Sequence, residues 1–123
     1  MTPQDVIKRI NNIKPSVIES SVLLSFLNKI EAKIREDING EENFTPYKFE
    51  NIETDKLFLD DKFSEIYTFY LSAKIDLFSN NIASHNNFII LYNNALAEFY
   101  NYVQYRKKAA NTTYQYDYEG AFK

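Results

Sequence analysis

Asp60–Arg106 reads DDKFSEIYTFYLSAKIDLFSNNIASHNNFIILYNNALAEFYNYVQYR, and this stretch decides the fold. Two acids at its start suit the positive end of a helix dipole. Phe63, Ile66, Tyr67, Tyr70, Leu71, Ala73, Leu77 and Phe78 then recur at three- and four-residue steps and almost encircle a helix axis. A helix apolar on most sides is buried on most sides, so this third helix is expected at the centre of the domain. Asn80-Asn81 stops it, and Ser84 is placed to cap a fourth helix. Phe88, Leu91, Tyr92, Ala95, Phe99, Tyr102 and Val103 form the stripe of that helix, with Arg106, Lys107 and Lys108 near its carboxyl end. A short connection between two long helices predicts an antiparallel pair. Leu71, Leu77, Leu91 and Phe99 are expected at its interface.

On the amino-terminal side, Thr2-Pro3-Gln4-Asp5 is a helix start, with a capping residue, proline in the first turn and an acid that can reach back to the cap. Val6, Ile7, Ile10 and Ile13 share a face, and Pro15 ends the run. Ser16 and Glu19 have capping-box spacing for a second helix. Its stripe is Leu23, Leu27, Ile30, Ile34 and Ile38, with Asn28, Lys29, Glu31, Lys33, Arg35 and Glu36 on the polar side. Asn39-Gly40 supplies a residue able to adopt left-handed backbone at the stop. Residues 41–59 follow neither period and read as a long irregular loop, with room for one short strand pair. The fold class expected is therefore mainly α: a small four-helix bundle over residues 1–112, a long middle loop, and an extended tail over 113–123.

Composition narrows the function. Hydrophobic residues make up 45% of 123, enough for one real core. The formal net charge is −3, so the chain lacks the basic balance that binding a nucleic-acid backbone demands. The same acidity argues against an anionic membrane surface, and no apolar run is long enough to span a bilayer. The amino terminus is periodic and polar, unlike a signal peptide. Without cysteine there is no disulfide, thiolate metal site or cysteine nucleophile. Two glycines leave no phosphate-cradling loop and favour helices over sheets. Ten Tyr and ten Phe give a surplus of the amphipathic and aromatic residues enriched at protein interfaces.

The candidate chemistry is thin. His85, the one histidine, sits beside Ser84, Asn86 and Asn87, with no nucleophile or orienting acid in sequence, and reads as a surface or capping residue. Asp55, Asp60 and Asp61 lack the alternating ligands and sharp-turn glycine of a calcium loop. No catalytic, cofactor-binding or metal-ligating residue is assigned, and no cofactor is expected. The tail is different. Tyr114, Tyr116 and Tyr118 alternate with Gln115, Asp117 and Glu119, and Phe122 follows, which is the period of a strand with no partner strand nearby. A segment so aromatic is expected to dock on a partner, and these four residues are the candidate binding residues.

Leu57–Arg106 also resembles the head–tail connector (neck adaptor) proteins of tailed bacteriophages. The likeness lies in the acidic helix start, in Tyr67–Asp76 as a "Y..YL.AKID" core, and in Tyr92–Arg106 as a "YN.A..EF..Y..R" helix. Glu31–Gly40, EAKIREDING, suits the same group. The middle loop and the tyrosine tail have no counterpart in that pattern. The resemblance implies a non-enzymatic subunit of a self-associated ring, dodecameric in form, below the portal protein. It would contact the portal and the next neck or tail protein, with DNA only as passing cargo and no membrane. It would reside in the virion neck, after assembly in the host cytoplasm. The alternative from periodicity alone is a small helical regulatory or antitoxin-like binding module.

Overall fold

The structure, a computed structural model, describes the backbone of residues 1–112 and the side chains of residues 1–109. Tyr114, Tyr116, Tyr118 and Phe122, the expected docking residues, lie outside the described residues. The chain forms four helices: α1 (Pro3–Ile13), α2 (Ser20–Asn39), α3 (Glu65–Phe78) and α4 (Ile82–Thr112). Among the described residues there is no strand. The segment between α2 and α3 contains two 3-10 turns, Phe49–Asn51 and Asp61–Phe63, in place of a strand pair. No helix of the described residues is long and apolar enough to cross a membrane.

The helix ends follow local chemistry. Thr2 and Asp5 make a reciprocal capping box: the Asp5 amide donates to Thr2 Oγ1 at 3.2 Å and the Thr2 amide donates to Asp5 Oδ2 at 2.9 Å. Gly40 closes α2 at φ 70, where a side chain would be strained, and its amide donates to the Glu36 carbonyl at 2.9 Å. Two expected caps are displaced. Ser16 Oγ accepts from the Ile18 amide within the connection, and α2 begins four residues later with no side-chain cap. Asn81, rather than Ser84, caps α4: its Oδ1 accepts from the Ser84 amide and its carbonyl from the His85 amide. Asn80 at φ 57 turns the chain between α3 and α4, a conformation asparagine tolerates better than most residues.

The helix α3 is central. It packs most extensively on α4 and also against α1 and α2. The α3–α4 register is antiparallel, with ring contacts pairing Tyr70 with Tyr92 and Phe63 with Phe99. The core combines Val6, Ile7 and Ile10 of α1, Leu23, Leu27, Ile30 and Ile34 of α2, Ile66, Tyr67, Leu71 and Ile75 of α3, and Phe99 and Val103 of α4. Ile52, Leu57 and Leu59 of the middle segment are buried in the same core, so that segment is a lid on the bundle and not a free loop.

Two of the four residues expected at the α3–α4 interface are elsewhere. Leu71 and Phe99 are fully buried, but Leu77 is 47% exposed and Leu91 is 43% exposed. The buried positions of α4 are Tyr92, Leu96, Phe99 and Val103, spaced by four, three and four residues. Leu91 sits one residue, or about 100° of helix rotation, off that line. Leu77 lies in the last turn of α3, where the helix runs out.

Candidate functional site

Three constellations stand out on this frame: a buried carboxylate on α2, a buried ion pair where helix ends meet, and an apolar surface next to that pair.

The first centres on Glu31, whose side chain is wholly buried in the middle of α2. A buried carboxylate is tolerable only when hydrogen bonds replace its hydration. Here Tyr67 Oη donates to Oε1 at 2.6 Å, and Tyr47 Oη at 2.5 Å and the Phe58 amide at 2.8 Å donate to Oε2. The Tyr67 oxygen in turn accepts from the Leu59 amide at 3.0 Å. Arg35, one turn along, donates to Tyr47 Oη at 3.0 Å and stacks its guanidinium over the rings of Phe44 and Phe58. Asn28 on the same side of α2 pairs with the Tyr47 backbone in both directions, at 2.8 and 3.1 Å. The cluster therefore fastens residues 44–59 to α2 and α3. Burial, then the adjoining Glu31 charge, pushes the Tyr47 and Tyr67 hydroxyls far above the ordinary phenol range, so both stay protonated donors. With every oxygen of Glu31 engaged and no solvent access, the group is a structural clasp.

Beside it a crevice of about 490 Å³ opens between Arg35, Glu41, Phe44, Tyr47, Lys48 and Asp55. Its lining mixes both charge signs and selects no ligand class.

The second constellation joins the end of α1, the end of α3 and the start of α4. Asp76, buried in α3, accepts from Lys14 Nζ at 2.8 Å and from Ser84 Oγ at 2.5 Å. The Lys14 ammonium also lies 4.8 Å from the Phe88 ring centroid. His85 is half-buried next to it, its Nδ1 2.7 Å from the Ala73 carbonyl, so the ring donates through Nδ1 and ties α4 to α3. His85, expected as a surface or capping residue, is half-buried and ties two helices together. No group of three or more His, Asp and Glu side chains able to hold a metal converges among the described residues.

The third is a surface. The Lys14–Asp76 pair and the Phe26–Phe78 ring contact, 5.5 Å between centroids, bring together the end of α1, the first half of α2, the end of α3 and the start of α4. This end of the bundle exposes Ile13, Val17, Leu77, Phe78 and Ile82. Val17 is as exposed as a residue can be, and Phe78 is 66% exposed. Scattered single apolar residues on a surface are ordinary, whereas a cluster of large ones is a feature that interaction surfaces share.

Periodicity puts Asn28, Glu31 and Arg35 on the polar side of α2 and Leu77 in the core, and gives Asp76 no partner; the structure buries Glu31 and Asp76 and exposes Leu77. Periodicity sees one helix at a time. What buries Glu31 is a segment that returns over α2, and only the density of tyrosines hinted at donors for such a group. Comparison of the chain with family models, with curated proteins and with solved structures finds no match to any of them.

Proposed function

We propose that this chain is a non-enzymatic assembly subunit, and specifically a head–tail connector of a tailed phage that forms a ring between portal and tail. The observation that supports the assembly role is the apolar end of the bundle, where Ile13, Val17, Leu77, Phe78 and Ile82 stand in water. The buried carboxylates of Glu31 and Asp76 are committed to holding helices and the middle segment together, so the fold offers a rigid body and a sticky surface. The finer reading draws on the likeness of Leu57–Arg106 to connector proteins. In this role copies of the chain extend the channel through which DNA passes, contact the portal on one side and the next neck or tail protein on the other, and end in the virion neck. The tail carrying Tyr114, Tyr116, Tyr118 and Phe122 serves as the docking segment.

The test is imaging by negative stain of concentrated protein with and without a portal. Closed rings, or a collar on the portal, are the expected result. A discrete two-fold dimer that ignores the portal would overturn the proposal and favour a regulatory module, because a ring needs contacts between unlike surfaces whereas a dimer pairs like with like.

A further inference from the structure

The apolar end and the tyrosine segment lie at opposite ends of α4. The helix runs from Ile82 to Thr112, 31 residues, or about 46 Å at 1.5 Å per residue. Tyr114, Tyr116 and Tyr118 follow Thr112 by at most six residues. Even fully extended, six residues span only about 20 Å. The three rings therefore cannot reach Ile82, at the far end of α4 in their own chain. A contact between these tyrosines and Ile82 has to come from another copy.

We infer that the apolar end of one copy is the seat for residues 113–123 of a second copy. The separation makes a contact of these tyrosines with Ile82 intermolecular, and it joins unlike surfaces. Such a contact leaves a free seat on one copy and a free segment on the other, so it propagates until a ring closes or a filament grows. The chemistry of the two sides agrees. Ile13, Val17, Leu77, Phe78 and Ile82 offer aliphatic and aromatic carbon, and tyrosine rings bury large apolar area while keeping the hydroxyl at the wet rim. The described part of the chain has no strand to extend, so the seat on a second copy is a side-chain surface at helix ends and not the edge of a sheet. Lys14 and Asp76, neutralised against each other beneath this surface, present no unpaired charge to an incoming ring. The inference rests on the reading of residues 113–123 as a docking segment, and adds where it docks and on what.

The experiment uses two full-length variants. One carries Val17→Asp and Ile82→Asp and spoils the seat. The other carries Tyr114→Ser, Tyr116→Ser and Tyr118→Ser and spoils the segment. Val17 and Ile82 are exposed, so neither substitution threatens the fold, and a circular-dichroism melt matching the parent checks this. Sedimentation velocity over a concentration series should show the parent self-associating, with each variant alone weakened by about tenfold or more, as expected for loss of anchor residues. Mixed in equal amounts, the variants should form a one-to-one dimer and nothing larger, because the mixture holds one intact seat and one intact segment. A parent that stays monomeric, a mixture that stays monomeric while the parent associates, or a segment variant that associates like the parent overturns the inference. None of these readings involves a portal. Association by seat and segment without portal binding would sink the connector role alone, and portal binding without complementation would sink this contact alone.

Discussion

At the scale of the residue, burial and partner count separate side chains that look alike in sequence. Leu71 and Leu91 are both leucines of apolar stripes, yet one is fully buried and the other 43% exposed. Leu71→Ala should cost about 2–5 kcal/mol, the range for emptying a packed site. Leu91→Ala should stay within about 0.5 kcal/mol, as a surface change does. Urea denaturation of the two variants checks the contrast, and equal costs would contradict the α4 register. Glu31→Ala should destabilise by about 3–5 kcal/mol, because it strands the Tyr67 hydroxyl and the Phe58 amide without their acceptor and leaves Tyr47 only the Lys56 carbonyl. A loss below about 1 kcal/mol would show that water replaces the carboxylate and that the clasp is looser than its distances imply.

At the scale of the element, helices were legible wherever a local signal sufficed. Thr2-Pro3-Gln4-Asp5 and Asn39-Gly40 carry their caps within five residues, and both formed as read. Ser16 and Ser84 do not cap as their positions suggest, because a serine can serve its own turn, as Ser16 does, or a distant carboxylate, as Ser84 does with Asp76. The middle segment was legible as irregular but not as a lid, since its anchors Asn28 and Glu31 lie on another element. Asn28→Ala removes both hydrogen bonds to the Tyr47 backbone. Amides of residues 47–58 should then exchange with deuterium much faster, while those at the centre of α3 keep their protection. Uniformly faster exchange through α3 would mean that the lid and the bundle open as one unit. At the candidate site itself the aromatic surplus is no guide, because Ile13, Val17, Leu77 and Ile82 are aliphatic and only Phe78 is aromatic. The position of the apolar end was not readable, because it is assembled from the ends of different helices.

At the scale of the whole molecule, the tyrosines make alkaline stability a sensitive gauge of the core. Burial pushes the Tyr92 hydroxyl up to about 12, and burial together with Glu31 or Asp37 raises Tyr47, Tyr67 and Tyr100. An unfolded chain loses these protons near pH 10. The folded state holds them, so unfolding releases protons above that point and stability falls as pH rises from about 10 through 12. At lower pH these groups contribute no slope. Tyr102 differs: slight burial raises it, but hydrogen bonds from Lys62 and Arg106 and their charges outweigh that and lower it. Absorbance titration of phenolate should show one early group of tyrosines and a later cooperative step coinciding with loss of helix. A single smooth titration with helix intact would show that the buried hydroxyls are reachable in the folded state.

The three residues between α3 and α4 also set a timetable. With Asn80 in left-handed backbone, the two helices can zip from their joined ends through contacts close in sequence, such as His85 with Ala73. By contrast, Lys14 must find Ser84 across 70 positions and Glu31 must find Tyr67 across 36. Loop closure over longer spans costs more entropy before any contact forms. The α3–α4 hairpin is therefore expected to form the folding nucleus, with α1 and the lid arriving after the rate-limiting barrier. Phe99→Leu should slow refolding about in proportion to its loss of stability, whereas Ile10→Val should act almost entirely on the unfolding rate. The reverse pattern in stopped-flow kinetics would place the nucleus in the amino-terminal half.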